Sequence, residues 1–115
     1  MKIPEYTSGC FELYKIYQDK VGDYPVEHLI STGYEIWYRE LAVYDKMRYQ
    51  LEQGSKEVTM KVRIPQYKEI GTGHVCLIDG VQHLIYNAAH LADKNGNLET
   101  ELTLIRPGKE LSIHG

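Results

Sequence analysis

The side chains that could do chemistry gather around two short segments, His74 to Ile78 and Val81 to Tyr86, which flank the dipeptide Asp79-Gly80. A two-residue Asp-Gly connection between apolar runs specifies a tight β-hairpin. Closing the hairpin there sets Ile78 opposite Val81, Cys76 opposite His83 and Val75 opposite Leu84, with His74 on the same face as Cys76. A thiol beside imidazoles is the arrangement of a nucleophile with its base, or part of a metal site. Nothing nearby supplies an acid or an oxyanion-binding loop, and such a trio arises often by chance in a hairpin. The expected roles are structural, Cys76 as a small buried hydrophobe and the histidines as surface polar groups.

Two other stretches imitate ligand loops. Gly71-Thr72-Gly73-His74 has the glycines of a phosphate loop, but no helix starts after it and no Lys-Ser or Lys-Thr follows. Asp93-Lys94-Asn95-Gly96-Asn97 has the residue types of a calcium loop, but the bidentate Glu is missing from its proper place. A hairpin turn at Asn95-Gly96 accounts for it. That turn sets Ala89 opposite Leu102 and His90 opposite Glu101, a cross-strand pair that contributes ~0.2–1 kcal/mol without any catalytic role. No cofactor and no metal is expected, and an enzyme is the least favoured class.

The elements that position these residues are strands. From Lys56 to Ile64 apolar and polar residues alternate without an error, Val58, Met60, Val62 and Ile64 on one face, Glu57, Thr59, Lys61 and Arg63 on the other. Phe11 to Tyr17 reads as a first strand and Tyr34 to Leu41 as a second. Between them, Gln18 to Gly33 carries Gly22, Pro25, Ser31 and Gly33 and reads as a long loop, as does Pro65 to Gly73. Tyr44, Met47, Arg48 and Leu51 fall at helical spacing, so Tyr44 to Gln53 reads as a short helix with Asp45 in its first turn and Gly54 as its cap. The strand begun at Val81 continues through Leu91, with a bulge expected at Asn87, and Leu98 to Ile105 returns before Pro107 and Gly108 release the tail. The sum is a mainly β domain spanning residues 1–115: a six-stranded antiparallel meander, barrel or sandwich, with one short α-helix between strands 2 and 3. Residues 1–9 and 107–115 are expected to be loosely ordered.

Composition narrows the class. A chain of 115 residues, 43% hydrophobic and 25% charged, has the profile of one globular domain. A formal charge of -3 argues against holding nucleic acid by phosphate neutralisation. No apolar run approaches the ~20 residues that span a bilayer, so no membrane partner is expected. Cys10 and Cys76 match no metal or redox spacing and suit free thiols in a reducing cytoplasm. Ten tyrosines stand against one Phe and one Trp. A large apolar ring with a polar tip suits surfaces that become buried on association.

Three runs together carry a resemblance: Trp37 to Tyr49, Glu57 to Pro65, and Cys76-Leu77-Ile78-Asp79-Gly80-Val81-Gln82-His83-Leu84-Ile85-Tyr86. In order and pattern the chain resembles the head-tail joining, or head-closure, proteins of long-tailed bacteriophages and Gram-positive prophages, over residues 11 to 106. That resemblance implies a β-barrel subunit that forms a homo-oligomeric ring below the portal and its adaptor. The ring would close the DNA exit channel of the virion and dock the tail-completion or tail-tube protein. Double-stranded DNA would pass without sequence-specific binding, and assembly would take place in the bacterial cytoplasm. The residues expected to meet partners are Tyr24, His28, Tyr34, Trp37, Tyr44, Arg48, Tyr67, Lys68 and Thr72. The alternative is a small β-barrel module that binds a peptide or single-stranded nucleic acid, with Trp37 and the tyrosines as a stacking platform.

Overall fold

The computed structural model describes residues 5–43 and 58–114. It contains seven strands: β1 (Gly9–Val21), β2 (Tyr24–Leu41), β3 (Val58–Pro65), β4 (His74–Ile78), β5 (Val81–Ala92), β6 (Leu98–Ile105) and β7 (Ser112–His114). They form one sheet in the order β1-β4-β5-β6-β3-β2-β7, and β1 also pairs with β2, so the hydrogen bonding of the first six strands runs round to its start. The pairings β1–β2, β2–β3, β4–β5 and β5–β6 join sequential strands, but β1 with β4 and β3 with β6 are non-local pairings that replace the expected simple meander. The helix expected at Tyr44 to Gln53, with Asp45 and Gly54, lies outside the described residues.

The alternation in β3 does what its spacing requires from Met60 to Ile64. Val62 and Ile64 are buried and Met60 packs against the same cluster, whereas a register shift between Val58 and Met60 sets buried Val58 opposite Ile105, outside it. That cluster is the main core, filled from β1 by Phe11 and Leu13, from β4 by Cys76 and Ile78, from β5 by Ile85 and from β6 by Leu102 and Leu104. The neighbours of those residues in β4 and β5, Val75, Leu77 and Leu84, point to the opposite face by the two-residue period. There they meet Tyr14, Ile16, Leu29 and Leu111 in a second, smaller core. Gly9 is needed where β1 enters the fold, because a Cβ on it would lie 2.7 Å from the hydroxyl of buried Tyr38.

Four expectations change. Gln18 to Gly33 is not a loop: β1 and β2 form one long hairpin paired from Gly9↔Tyr38 to Val21↔Tyr24, turning on Gly22-Asp23 with Gly22 at φ +65°. The β4–β5 register is as the Asp79-Gly80 turn dictates, Cys76↔His83 and Val75↔Leu84. The next hairpin is displaced by one residue, with Ala88↔Leu102 and His90↔Thr100, so His90 does not face Glu101. Asp93 causes the displacement: its carboxylate accepts from the backbone N–H of Asn95 and Asn97, each at 2.8 Å, and holds a five-residue loop in place of a two-residue one. The β5 bulge falls between Ile85 and Asn87, next to its expected site, but the core-facing residues beside it are Ile85 and Ala88, with Tyr86 and Leu91 exposed. Finally, the C-terminal segment does not leave the sheet at Pro107, since β7 pairs in parallel with His28, Leu29 and Ile30.

Candidate functional site

The β1–β2 hairpin changes character halfway. Opposite Leu13, β2 inserts three residues, Thr32, Gly33 and Tyr34, and the register shifts. Gly33 takes φ +82°, which an L side chain rarely adopts, and the Thr32 hydroxyl donates to Leu13 O at 2.8 Å while accepting from the N–H of Tyr34. Before this bulge β1 and β2 belong to the main core. Beyond it, residues 14–31 form an arm whose two faces differ; β4 pairs with its base at Tyr14 and Lys15 and β7 with His28, Leu29 and Ile30, and the rest is a two-stranded ribbon.

Cross-strand pairing sorts the arm. Tyr14, Ile16 and Leu29 share the face turned to the second core. Tyr17 opposes His28, Asp19 opposes Val26 and Lys15 opposes Ile30, so these residues share the other face with Tyr24. That face leaves Tyr24 76%, Tyr17 52%, Val26 40% and Ile30 39% exposed. Two rings and two β-branched side chains, interspersed with exposed Lys15 and Asp19, make a mainly apolar contact surface. His28 lies beneath it, its ring 5.5 Å from that of Tyr17.

A charge lattice crosses the outside of β2, β3 and β6. Arg39 and Arg63 are direct cross-strand partners, a like-charge pair that would repel. Glu99 lies between them, its side chain only 3% exposed, 3.1 Å from Arg39 and 3.4 Å from Arg63. The Tyr6 hydroxyl donates to the same carboxylate at 3.0 Å, and burial together with that bond pushes the phenol up to about 12. Glu101 completes the lattice with Lys61 at 3.2 Å and Arg63 at 3.0 Å. The Lys61 and Arg63 face of β3 is therefore occupied within the chain. Two basic and two acidic residues at matching two-residue spacing in β3 and β6 were the sequence signal for this pairing.

The thiol and imidazoles are brought together but not as a reaction centre. Cys76 is fully buried, and desolvation pushes its thiol far above the usual range, so it does not supply a thiolate. His83, expected at the surface, is buried because the Thr59 hydroxyl holds its Nδ1 at 2.8 Å. Thr59 also donates its one proton to Leu104 O at 3.3 Å, leaving its oxygen to accept from His83 Nδ1–H. His74 is half-buried and accepts from Gly71 N–H through Nδ1. Burial lowers both imidazoles, with Arg106 adding to the effect at His83 and Lys15 at His74. No cluster of three or more His, Cys, Asp or Glu able to hold a metal occurs among the described residues.

The expected contact residues fall in three places. Tyr24 and His28 are on the arm; Tyr34, 56% exposed, sits on the bulge, and Trp37, 60% exposed, lies on the outside of β2 opposite Cys10. Tyr67, Lys68 and Thr72 are in the β3–β4 connection, where the Tyr67 ring meets Tyr34 edge-on at 6.0 Å and its N–H donates to buried Thr100. Tyr44 and Arg48 lie outside the described residues. Tyr17, Val26 and Ile30 were not among the expected contacts, because the polar residues between them hid a strand. No protein-family model matches this chain, and no curated protein matches it.

Proposed function

We propose that this chain is a structural subunit of a bacteriophage head-tail connector, assembling as a ring below the portal and adaptor to close the DNA exit channel and dock the tail. The observation that carries the reading is the arm: an aromatic and β-branched face, Tyr17, Tyr24, Val26 and Ile30, held out on a ribbon where a neighbouring copy can cover it. The resemblance in strand and turn pattern supports it, and the ring-like pairing of six strands suits the small barrel such a subunit would use. The work of such a subunit is adhesion, without a catalytic group or cofactor. Its charge of -3 suits a conduit through which phosphates must slide.

Native mass spectrometry of the chain with its cognate adaptor tests the proposal, together with virions made without it. The expected result is a cyclic complex, and virions that lose DNA and lack tails. Virions that keep their DNA and attach tails normally would refute it. Exposed Trp37 and Tyr24 also fit a stacking platform for single-stranded nucleic acid. Salt-sensitive binding of such a strand, abolished by Trp37→Ala without loss of folding, would favour that second reading.

A further inference from the structure

The C-terminal segment is bound as a peptide ligand is bound. The side-chain amide of Gln82 on β5 donates from Nε2 to Leu111 O at 2.7 Å and accepts from Leu111 N–H at 2.9 Å. One side chain thus satisfies both backbone groups of one residue, which is recognition of an extended backbone whatever its sequence. Gln82 is itself buried, and the Leu111 side chain enters the second core with Leu84, Ile16 and Leu29. Beyond it, Ser112, Ile113 and His114 add to the free edge of β2 in register with His28, Leu29 and Ile30. The seat therefore has three parts: an amide clamp, an apolar socket and a strand edge.

What links this segment to the body is slight by comparison. Pro107, Gly108, Lys109 and Glu110 span from the end of β6 to the clamp, and Gly108, Lys109 and Glu110 are exposed. A cleft of about 600 Å³ lies between this span and the arm residues Ile16, Gln18 and Glu27. The segment is fastened at its far end and spans open space at its near end.

We propose that residues 111–114 are exchanged between copies, each segment occupying the clamp, socket and β2 edge of its neighbour. The occupant's chemistry is already known, because the same segment fills the seat within one chain. Every copy has the same seat, so exchange keeps all of these contacts and alters only the path of the span from Pro107 to Glu110. This deepens the reading of the chain as a ring subunit, on which it rests for a neighbour at hand. It makes the junction between subunits a threaded one.

The test uses two full-length variants in a Cys10→Ser background, one carrying His28→Cys and the other Ser112→Cys, which are register partners. Neither can close that disulfide within its own chain. Mixed and oxidised, they are expected to form a covalent heterodimer, reduced at least about tenfold when Gln82→Ala removes the clamp. A third variant, lacking Gly108 and Lys109, shortens the span by about 7 Å and is expected to assemble by exchange only. It serves as the independent readout should His28→Cys disturb folding. The mass of the unmodified chain is measured in parallel. Assembly without a covalent heterodimer overturns exchange alone; a heterodimer with no larger ring overturns the ring and leaves exchange standing; a monomer without cross-links overturns both.

Discussion

Glu99→Gln isolates the centre of the charge lattice. At an effective dielectric of about 20, a guanidinium at this range attracts the carboxylate by about 5 kcal/mol before the cost of desolvation. Burying the carboxylate costs several kcal/mol and offsets much of the two attractions. Gln keeps the shape and one acceptor but no charge, so Arg39 and Arg63 are left directly opposed. Loss of one partner from a fully buried pair costs ~3–5 kcal/mol, but Arg39 and Arg63 side chains are 37% and 29% exposed, and solvent screens part of the effect. The expected loss is about 2–3 kcal/mol, a fall of about 8–15 °C in Tm. Glu101→Gln, whose side chain is 17% exposed, should cost about 0.5–1 kcal/mol and approach zero in high salt. Urea unfolding of both variants, with midpoints compared at equal slope, measures the difference. The double variant Glu99→Gln with Arg39→Gln should recover part of the loss by removing the opposed charge. A Glu99→Gln protein within about 0.5 kcal/mol of the parent, or one no worse than Glu101→Gln, would refute the bridging role.

Val62→Asp puts a carboxylate at a fully buried position of β3 and should abolish the cooperative transition, whereas Lys61→Asp loses one partly exposed ion pair and should cost about 1–2 kcal/mol by denaturation. His74 and His83 are held below the ordinary value of 6.5 by burial, so their neutral forms belong to the folded state. Their contribution is complete above pH 6.5 and is lost as the pH falls below it, and His83→Gln should flatten that part of the stability profile. A charged thiol reagent should label partly exposed Cys10 in the native protein and buried Cys76 only after unfolding, as read by intact mass. Gly9→Ala should lower Tm measurably, because buried Tyr38 must yield to the new Cβ.

What the sequence makes legible is what local chemistry determines. The β3 alternation places Met60, Val62 and Ile64 against the core, and Asp79-Gly80 sets the β4–β5 register to the residue. The arm escapes notice because a ribbon exposed on one face need not alternate: Tyr17, Asp19, Val26 and Tyr24 share a face although they differ in polarity. Gly22-Asp23 between Val21 and Tyr24 was the available turn signal, masked by Pro25 after it. Asn95-Gly96 misleads by one position because a side chain, Asp93, does the capping that backbone turn type alone would do. The candidate contacts Tyr24, Tyr34 and Trp37 are legible from residue type, whereas the seat for Leu111 is not. It depends on β5, β1 and β2 meeting, which no local pattern states.

The pairing that runs from β1 round to β2 and back also dictates the order of events during folding. β1 is made first and can hairpin with β2 at once, but its other edge must wait for β4, since Leu13 pairs with Cys76. β3 likewise waits for β6, as Val62 pairs with Leu102. Contacts so distant along the chain carry loop-closure entropy that must be met before they stabilise anything, which places refolding in the millisecond-to-second range, about that of other non-local β topologies. During that interval the nascent arm displays its rings to whatever is near. A chain of this design is safest at low concentration, and its assembly should be governed by the completion of the last strands.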